Sequence, residues 1–142
     1  MRAGRMRTLA LLLLMAALPA RAEWVKIATT EKGFFSAFSR GVTYYIDPST
    51  IVREGNIRRV WEIQDLGDKG PKGERSILAQ VEYDCVDRRM RTLKATGKSL
   101  RMAGGEIIQL NIFSDEWVGL RPGKDDEATL KVLDTVCAPP RN

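Results

Sequence analysis

Apolar and polar residues alternate most clearly in the segment Ser76–Arg91. Its apolar row comprises Ile77, Ala79, Val81, Tyr83 and Cys85. Polar residues occupy most of the positions between them. A period of two is typical of a strand that buries one face. We therefore predict a central strand over Ser76–Cys85, followed by a turn at Val86–Arg88, with the apolar row directed into the core.

The rest of the chain contains further stretches with strand character, bounded by turn-forming residues. β-branched and aromatic residues favour strands, and they predict Trp24–Thr30, Val42–Asp47, Ile57–Leu66, Arg89–Thr96 and Glu106–Phe113. In Ile57–Leu66 the apolar residues Val60 and Ile63 fall on opposite faces, which indicates that both faces are partly covered. Because no helices alternate with these strands, a dinucleotide-binding crevice is not expected.

The last segment, Lys124–Ala138, has a helical pattern instead. Leu130, Leu133 and Cys137 recur at i, i+3 and i+7, which is one face of a helix. Asp125 or Asp126 is expected to cap its first N–H groups, and the prolines after Ala138 end it. The predicted fold class is α+β, with a single six-stranded antiparallel sheet and a C-terminal helix packed on it.

The first 22 residues have the order of a secretory signal peptide. Three arginines precede the uninterrupted apolar run Leu9–Leu18, and small residues follow at Ala20 and Ala22. The run is shorter than the about 20 residues that span a bilayer. We predict cleavage after Ala22, which leaves one domain over residues 23–142 and no stable membrane span. The alternative is an N-terminal anchor that stays uncleaved.

Cleavage would remove most of the net charge. The whole chain has 23 basic and 18 acidic residues, a net charge of +5. Residues 1–22 hold four arginines and no acid, so the remainder has 19 basic and 18 acidic residues, a net charge of +1. A near-neutral domain gives little support to a nucleic-acid partner, and none is predicted.

Two cysteines in an exported chain favour a disulfide, because the compartment is oxidising. We predict the pair Cys85–Cys137, which would tie the helix to the sheet. The alternative is two separate buried thiols.

The residue inventory limits the chemistry that the chain could perform. It contains no histidine, which removes His-assisted nucleophilic catalysis and nearly all catalytic zinc sites. The two cysteines are too far apart for a C-x-x-C redox pair. Carboxylate chemistry at Asp115-Glu116 or Asp125-Asp126-Glu127 is the remaining catalytic alternative. We predict that the protein is not an enzyme and uses no cofactor or metal.

Two groups of side chains are candidates for binding. Phe34, Phe35 and Phe38 lie in Glu31–Gly41, where they form either a partner contact patch or a lid over one end of the core. Arg89 and Arg91 form either an anion site or cross-strand pairs with Glu82 and Asp84. The near-neutral charge favours the cross-strand pairs.

The order of several short motifs resembles that of the surface-adhesin protein E-like domains of Gram-negative bacteria. The motifs are Trp24-Val25-Lys26, Tyr44-Tyr45-Ile46-Asp47, Gly55-Asn56, Val60-Trp61, Glu82-Tyr83-Asp84-Cys85, Arg88-Arg89, Trp117, Pro122-Gly123 and Cys137. The resemblance covers almost the whole chain after residue 22. It implies a six-stranded antiparallel sheet with a C-terminal helix, which agrees with the pattern of the residues.

The resemblance also implies a non-catalytic protein-binding function, since the family is named after an adhesin for host matrix and serum proteins such as vitronectin and laminin. We therefore expect an extracellular or periplasmic protein partner and a location in the periplasm, at the cell surface or outside the cell. A homodimer would form through a sheet edge or the phenylalanine segment. The alternative function is that of a soluble periplasmic structural or accessory protein.

Overall fold

A computed structural model describes residues 21–30, 41–111, 114–123 and 126–140 of the chain. These residues form one antiparallel sheet and one α-helix. The strands are β1 (Val25–Thr29), β2 (Thr43–Ile46), β3 (Val52–Glu54), β4 (Ile57–Asp65), β5 (Ser76–Asp84), β6 (Arg89–Lys98), β7 (Ile107–Ile108) and β8 (Val118–Gly119), and the helix α1 is Glu127–Cys137. The predicted fold class is confirmed.

The strand order places the predicted central strand in the middle of the sheet. The order is β1-β2-β4-β5-β6-β7, with β3 paired beside β4 and β8 paired beside β6. All pairings are antiparallel. Each of the six predicted segments contains a strand, although the sixth is reduced to Ile107–Ile108 in the described residues. The short strands β3 and β8 were not predicted.

The core lies between the sheet and α1, which packs against β1, β2, β4 and β5. The predicted apolar row of β5 faces it, with Ala79, Val81 and Tyr83 fully buried. The helix contributes Leu130, Val132, Leu133 and Val136. Each such side chain contributes about 1.5–3 kcal/mol when it leaves water, so this layer holds the helix on the sheet.

The start of α1 differs from the prediction. The helix begins at Glu127, and Asp126 stands at its N-cap without a side-chain capping bond. Asp126 Oδ2 instead accepts a hydrogen bond from the backbone N–H of Arg121 at 2.9 Å. The carboxylate therefore ties the preceding turn to the helix, and Asp125 lies outside the described residues. Among the described residues, no helix has the length and apolar character needed to cross a membrane.

Candidate binding face

The disulfide between Cys85 and Cys137 is present, with the two Cα atoms 5.7 Å apart. It joins the residue after β5 to the last residue of α1. The bond therefore ties the helix to the sheet, as predicted. Phe34, Phe35 and Phe38, the other candidate site residues, lie outside the described residues, and their role as a partner contact stays a prediction.

The inner face of the sheet holds one buried acid, Glu62, which is 1% exposed. Tyr83 donates its hydroxyl to Glu62 Oε2 at 2.6 Å, and Gln64 Nε2 donates to Oε1 at 3.0 Å. Burial raises the pKa of Glu62, and the two hydrogen bonds oppose that rise. No ion pair joins Glu62 to a cation within the described segments. Because this acid is shielded from solvent, its role is structural: it accepts the hydrogen bonds of Tyr83 and Gln64 inside the fold.

The neighbouring tyrosines remain protonated because of the same burial. It raises the pKa of Tyr44 to about 12, and the charge of Glu62 adds to the effect. The pKa of Tyr83 is raised well above its ordinary value, first by burial and then by Glu62. Both hydroxyls thus remain hydrogen-bond donors at physiological pH and offer no base for catalysis.

The opposite face of the sheet, directed away from α1, is called the outer face here. Strand register defines it, because residues paired directly across a ladder share a face. One row joins Tyr45, Ile63, Leu78 and Thr96, and the next joins Trp61, Gln80 and Lys94. Ile63 is fully buried, whereas Trp61 and Leu78 are half-buried. The prediction that both faces of β4 are covered is confirmed.

The predicted pairs of acids and arginines lie at one end of the outer face. Arg91 is directly opposite Glu82, and Arg89 is opposite Asp84. Arg91 Nε donates to Glu82 Oε1 at 2.8 Å, and Arg89 Nε donates to Asp84 Oδ2 at 3.0 Å. The interpretation of these arginines as cross-strand partners is confirmed. The backbone N–H of Asp87 and the Arg89 guanidinium lower the pKa of Asp84.

Trp117 covers both of these arginines. The guanidinium carbons of Arg89 and Arg91 each lie 4.6 Å from the centre of its ring. A cation over an aromatic face at this distance contributes about 0.5–1 kcal/mol at an exposed site. The stack fastens the segment before β8 to β6, so the arginines have carboxylate and aromatic partners within the domain.

An apolar hollow of about 220 Å³ lies beside the Trp61 row. Its walls are Ala22, Trp24, Asp47, Thr50, Trp61 and Leu78. The side chain of Asp47 is occupied by the following turn, since its Oδ1 accepts from Ser49 N at 3.0 Å and Ser49 Oγ at 2.6 Å. The accessible lining is therefore almost wholly aromatic and aliphatic, which suits an apolar contact.

Two cations lie on the outer face near Trp61, one of the residues that line this hollow. Arg59 precedes Trp61 by two residues on β4, and Lys94 lies in the same cross-strand row as Trp61. Arg59 stands directly opposite Glu82, the acid that is paired with Arg91. Neither Arg59 nor Lys94 has a side-chain hydrogen bond or ion pair of its own to another residue in the described ranges. The candidate binding face thus combines an apolar hollow with two nearby cations, Arg59 and Lys94.

A family model for surface-adhesin protein E matches residues 24–138. The chain belongs to the surface-adhesin protein E family. The match spans the sheet, the helix and both cysteines. The comparison with curated proteins gives no match.

Solved structures of Haemophilus influenzae protein E share the family fold. One aligns with a TM-score of 0.57 and 13% identity, covering 82% of this chain and 85% of that chain. A second crystal form aligns with a TM-score of 0.55 and 16% identity over 66% of this chain and 79% of that one. Protein E from non-typeable Haemophilus influenzae aligns with a TM-score of 0.51 and 15% identity, covering 82% of this chain and 85% of that chain. At these identities the likeness establishes only that this surface-adhesin protein E family member shares the fold. Its binding contacts follow from its own residues.

Sequence reasoning missed the hollow, although one signal pointed to it. Trp61 is one position from Val60 along the strand, which places a large aromatic side chain on the side of the sheet away from the main core. Its companions Trp24 and Leu78 are 37 and 17 positions distant in the chain. Only the strand register brings the three together.

Proposed function

We propose that this member of the surface-adhesin protein E family is an exported, non-catalytic protein-binding domain that attaches to host matrix or serum proteins. The observation that carries the proposal is the candidate binding face, where Arg59 and Lys94 lie on the same face of the sheet as an apolar hollow. Aromatic residues and arginine are enriched in protein interfaces and dominate their binding energy. Family membership over residues 24–138 supports the same class of function.

The distribution of acids supports a binding role over a catalytic one. Asp115 and Glu116, the first carboxylate pair considered for catalysis, are exposed. Catalytic acids usually lie in a cleft that shifts their pKa. The hollow is smaller than the about 300–1,000 Å³ typical of small-molecule sites. Contact with a macromolecule through a largely open face therefore fits the geometry better than turnover of a substrate.

The location of the protein is tested first, by protease treatment of intact cells and of cells whose outer membrane has been opened. We expect digestion on intact cells, because an adhesin has to reach its partner. A periplasmic protein of known location serves as the control for membrane integrity. Protection until the membrane is opened would contradict the adhesive function and favour a periplasmic accessory role.

Binding is tested on the purified protein with immobilised vitronectin and laminin, and with albumin as the control surface. We expect saturable binding to a matrix or serum protein that albumin does not reproduce. Equal retention on all three surfaces would contradict the proposal. Sedimentation of the same preparation would test the predicted homodimer.

A further inference from the structure

The hollow on the outer face has the dimensions of a site for one side chain. Its volume is about 220 Å³, and its exposed lining is apolar. Drug-sized ligands need about 300–1,000 Å³, whereas an interface anchor is a single side chain buried in a pocket. Trp24, Trp61 and Leu78 would contact such an anchor, which implies an aliphatic or aromatic residue of a partner.

The charges around the hollow indicate the character of the chain that carries this anchor. Three acids on the outer face have arginine partners: Asp65 with Arg101, Glu82 with Arg91 and Asp84 with Arg89. The outer-face strand cations without a hydrogen bond or ion pair to another described residue are Lys26, Arg59, Lys94 and Lys98. Glu54, at the end of β3, is an outer-face acid in the same condition, and Asp47 in the wall of the hollow has hydrogen bonds from Ser49 but no ion pair to a described cation. Four cations against two acids leave a net positive charge on these outer-face positions.

Two of these cations lie close enough to the hollow to act with it. Arg59 is two residues from Trp61 along one strand, about 6.6 Å away by strand geometry. Lys94 is two strands from Trp61 in the same cross-strand row, about 9.5 Å away. The first separation matches that between side chains on one face of an extended peptide, and the second exceeds it by about 3 Å, which the long lysine side chain can span. Arg59 is half-buried, so its charge is less screened than that of a fully exposed side chain.

We propose that the outer face binds an extended acidic segment of a protein partner, with one apolar side chain in the Trp24–Trp61–Leu78 hollow and carboxylates at Arg59 and Lys94. This inference rests on the proposed function as a protein-binding domain and specifies its partner chemistry. Cleavage after Ala22, as predicted, would open the hollow on the Ala22 side and leave an α-amino group on Glu23, the residue next to Trp24 in its wall.

The test uses the isotope-labelled protein and a synthetic probe, Ac-Glu-Asp-Leu-Asp-Glu-NH2. The protein has three tryptophans, so its indole N–H signals report on separate places. We expect the Trp24 and Trp61 signals to shift on titration, while Trp117, stacked on Arg89 and Arg91, shifts less. A matched peptide with alanine in place of leucine, and one with lysine in place of each acid, should bind at least tenfold more weakly.

Variants separate the two parts of the site. Arg59→Gln combined with Lys94→Gln should weaken the probe about tenfold, as expected for two ion pairs at a rim. Lys131→Gln, which removes an exposed charge on α1, should leave binding unchanged. Leu78→Trp should fill the hollow and abolish the shifts without removing a charge. Thermal unfolding of each variant confirms that the fold is retained.

Several outcomes would overturn the proposal. Equal shifts of all three indoles, equal binding of the lysine peptide, or full binding by Leu78→Trp would each do so. Shifts produced by decanoate but not by the peptide would assign the hollow to an amphiphile. Shifts that depend only on protein concentration would assign it to a second copy of the chain.

Failure of the inference and failure of the proposed function give different results. Matrix binding that survives Leu78→Trp would leave the adhesive function standing and remove this face from it. Peptide binding without matrix binding would support the binding site but contradict the adhesive function, and the partner would then be sought in another compartment.

Discussion

Removing the disulfide is expected to have a large and calculable effect on stability. The perturbation is the double substitution Cys85→Ala and Cys137→Ala, in which alanine avoids placing a hydroxyl in these half-buried positions. The native sheet and helix retain most of their apolar contacts, since Val81, Tyr83 and Leu133 are unchanged and, of the two cysteines, Cys137 packs against that core from a half-buried position. The main change is therefore in the unfolded chain, which loses a cross-link.

The size of the effect follows from the loop that the bond closes. Cys85 and Cys137 are separated by 52 positions. The chain-entropy relation assigns a loop of this length about 4 kcal/mol at 25 °C. With a urea m-value of about 2 kcal/mol/M, such a loss lowers the midpoint of unfolding by about 2 M.

The assay is equilibrium urea unfolding of the double variant, followed by circular dichroism. The parent protein in a reducing agent is the matched control, because it lacks the bond but keeps both side chains. We expect the two to lose similar stability and to show a larger m-value than the oxidised parent, since the unfolded chain exposes more surface. A loss below about 1 kcal/mol, or a full loss with an unchanged m-value, would refute the explanation based on the unfolded state.

Two further predictions concern the sheet. Glu62→Gln should stabilise the protein at neutral pH. Burial raises the pKa of Glu62 in the folded state, so the parent protein loses stability as the pH rises from about 4.3 through that folded-state pKa. Urea unfolding at pH 4 and pH 8 should show a gain in the free energy of unfolding that is larger at pH 8, and an equal gain at both pH values would contradict this. Gly97→Val should detach β7 at a cost of about 1–3 kcal/mol, because a Cβ at Gly97 would lie 2.9 Å from the Ile108 carbonyl oxygen. Amide exchange at Ile108 measures the detachment, and Gly119→Val is the control, since a Cβ there would have nothing within 4 Å. Amides of β7 that stay protected in Gly97→Val would contradict the prediction.

The parts of the fold that could be predicted are those whose signal is local. The period of two in β5 identifies its buried face without knowledge of its neighbours, and the i, i+3, i+7 spacing does the same for α1. The disulfide required one further inference, the oxidising compartment that the predicted leader implies. The short strands β3 and β8 have three and two residues, which is too few for a period to be visible.

The parts that could not be predicted depend on pairing between distant residues. The loop after β6 is one case, since Asp65 Oδ1 accepts from the backbone N–H of Met102 at 3.0 Å. Ser76 Oγ donates to the Leu100 carbonyl at 2.6 Å and accepts from Ala103 N at 2.9 Å. Met102 and Ala103 both adopt positive φ although neither is glycine, so their residue types give no sign of this conformation. The hollow is another case, because its three apolar residues come from separate strands or strand ends.

The placement of the disulfide also determines how the domain responds to mechanical load. A pull applied before β1 and after Cys137 passes through the sulfur bond and bypasses everything between Cys85 and Cys137, which includes β6, β7, β8 and α1. Those 52 positions would otherwise add about 170–190 Å of extended chain. The oxidised domain can therefore lengthen only through the strands that precede Cys85, and the helix and the Trp117 stack stay shielded from tension even while the first strands peel away.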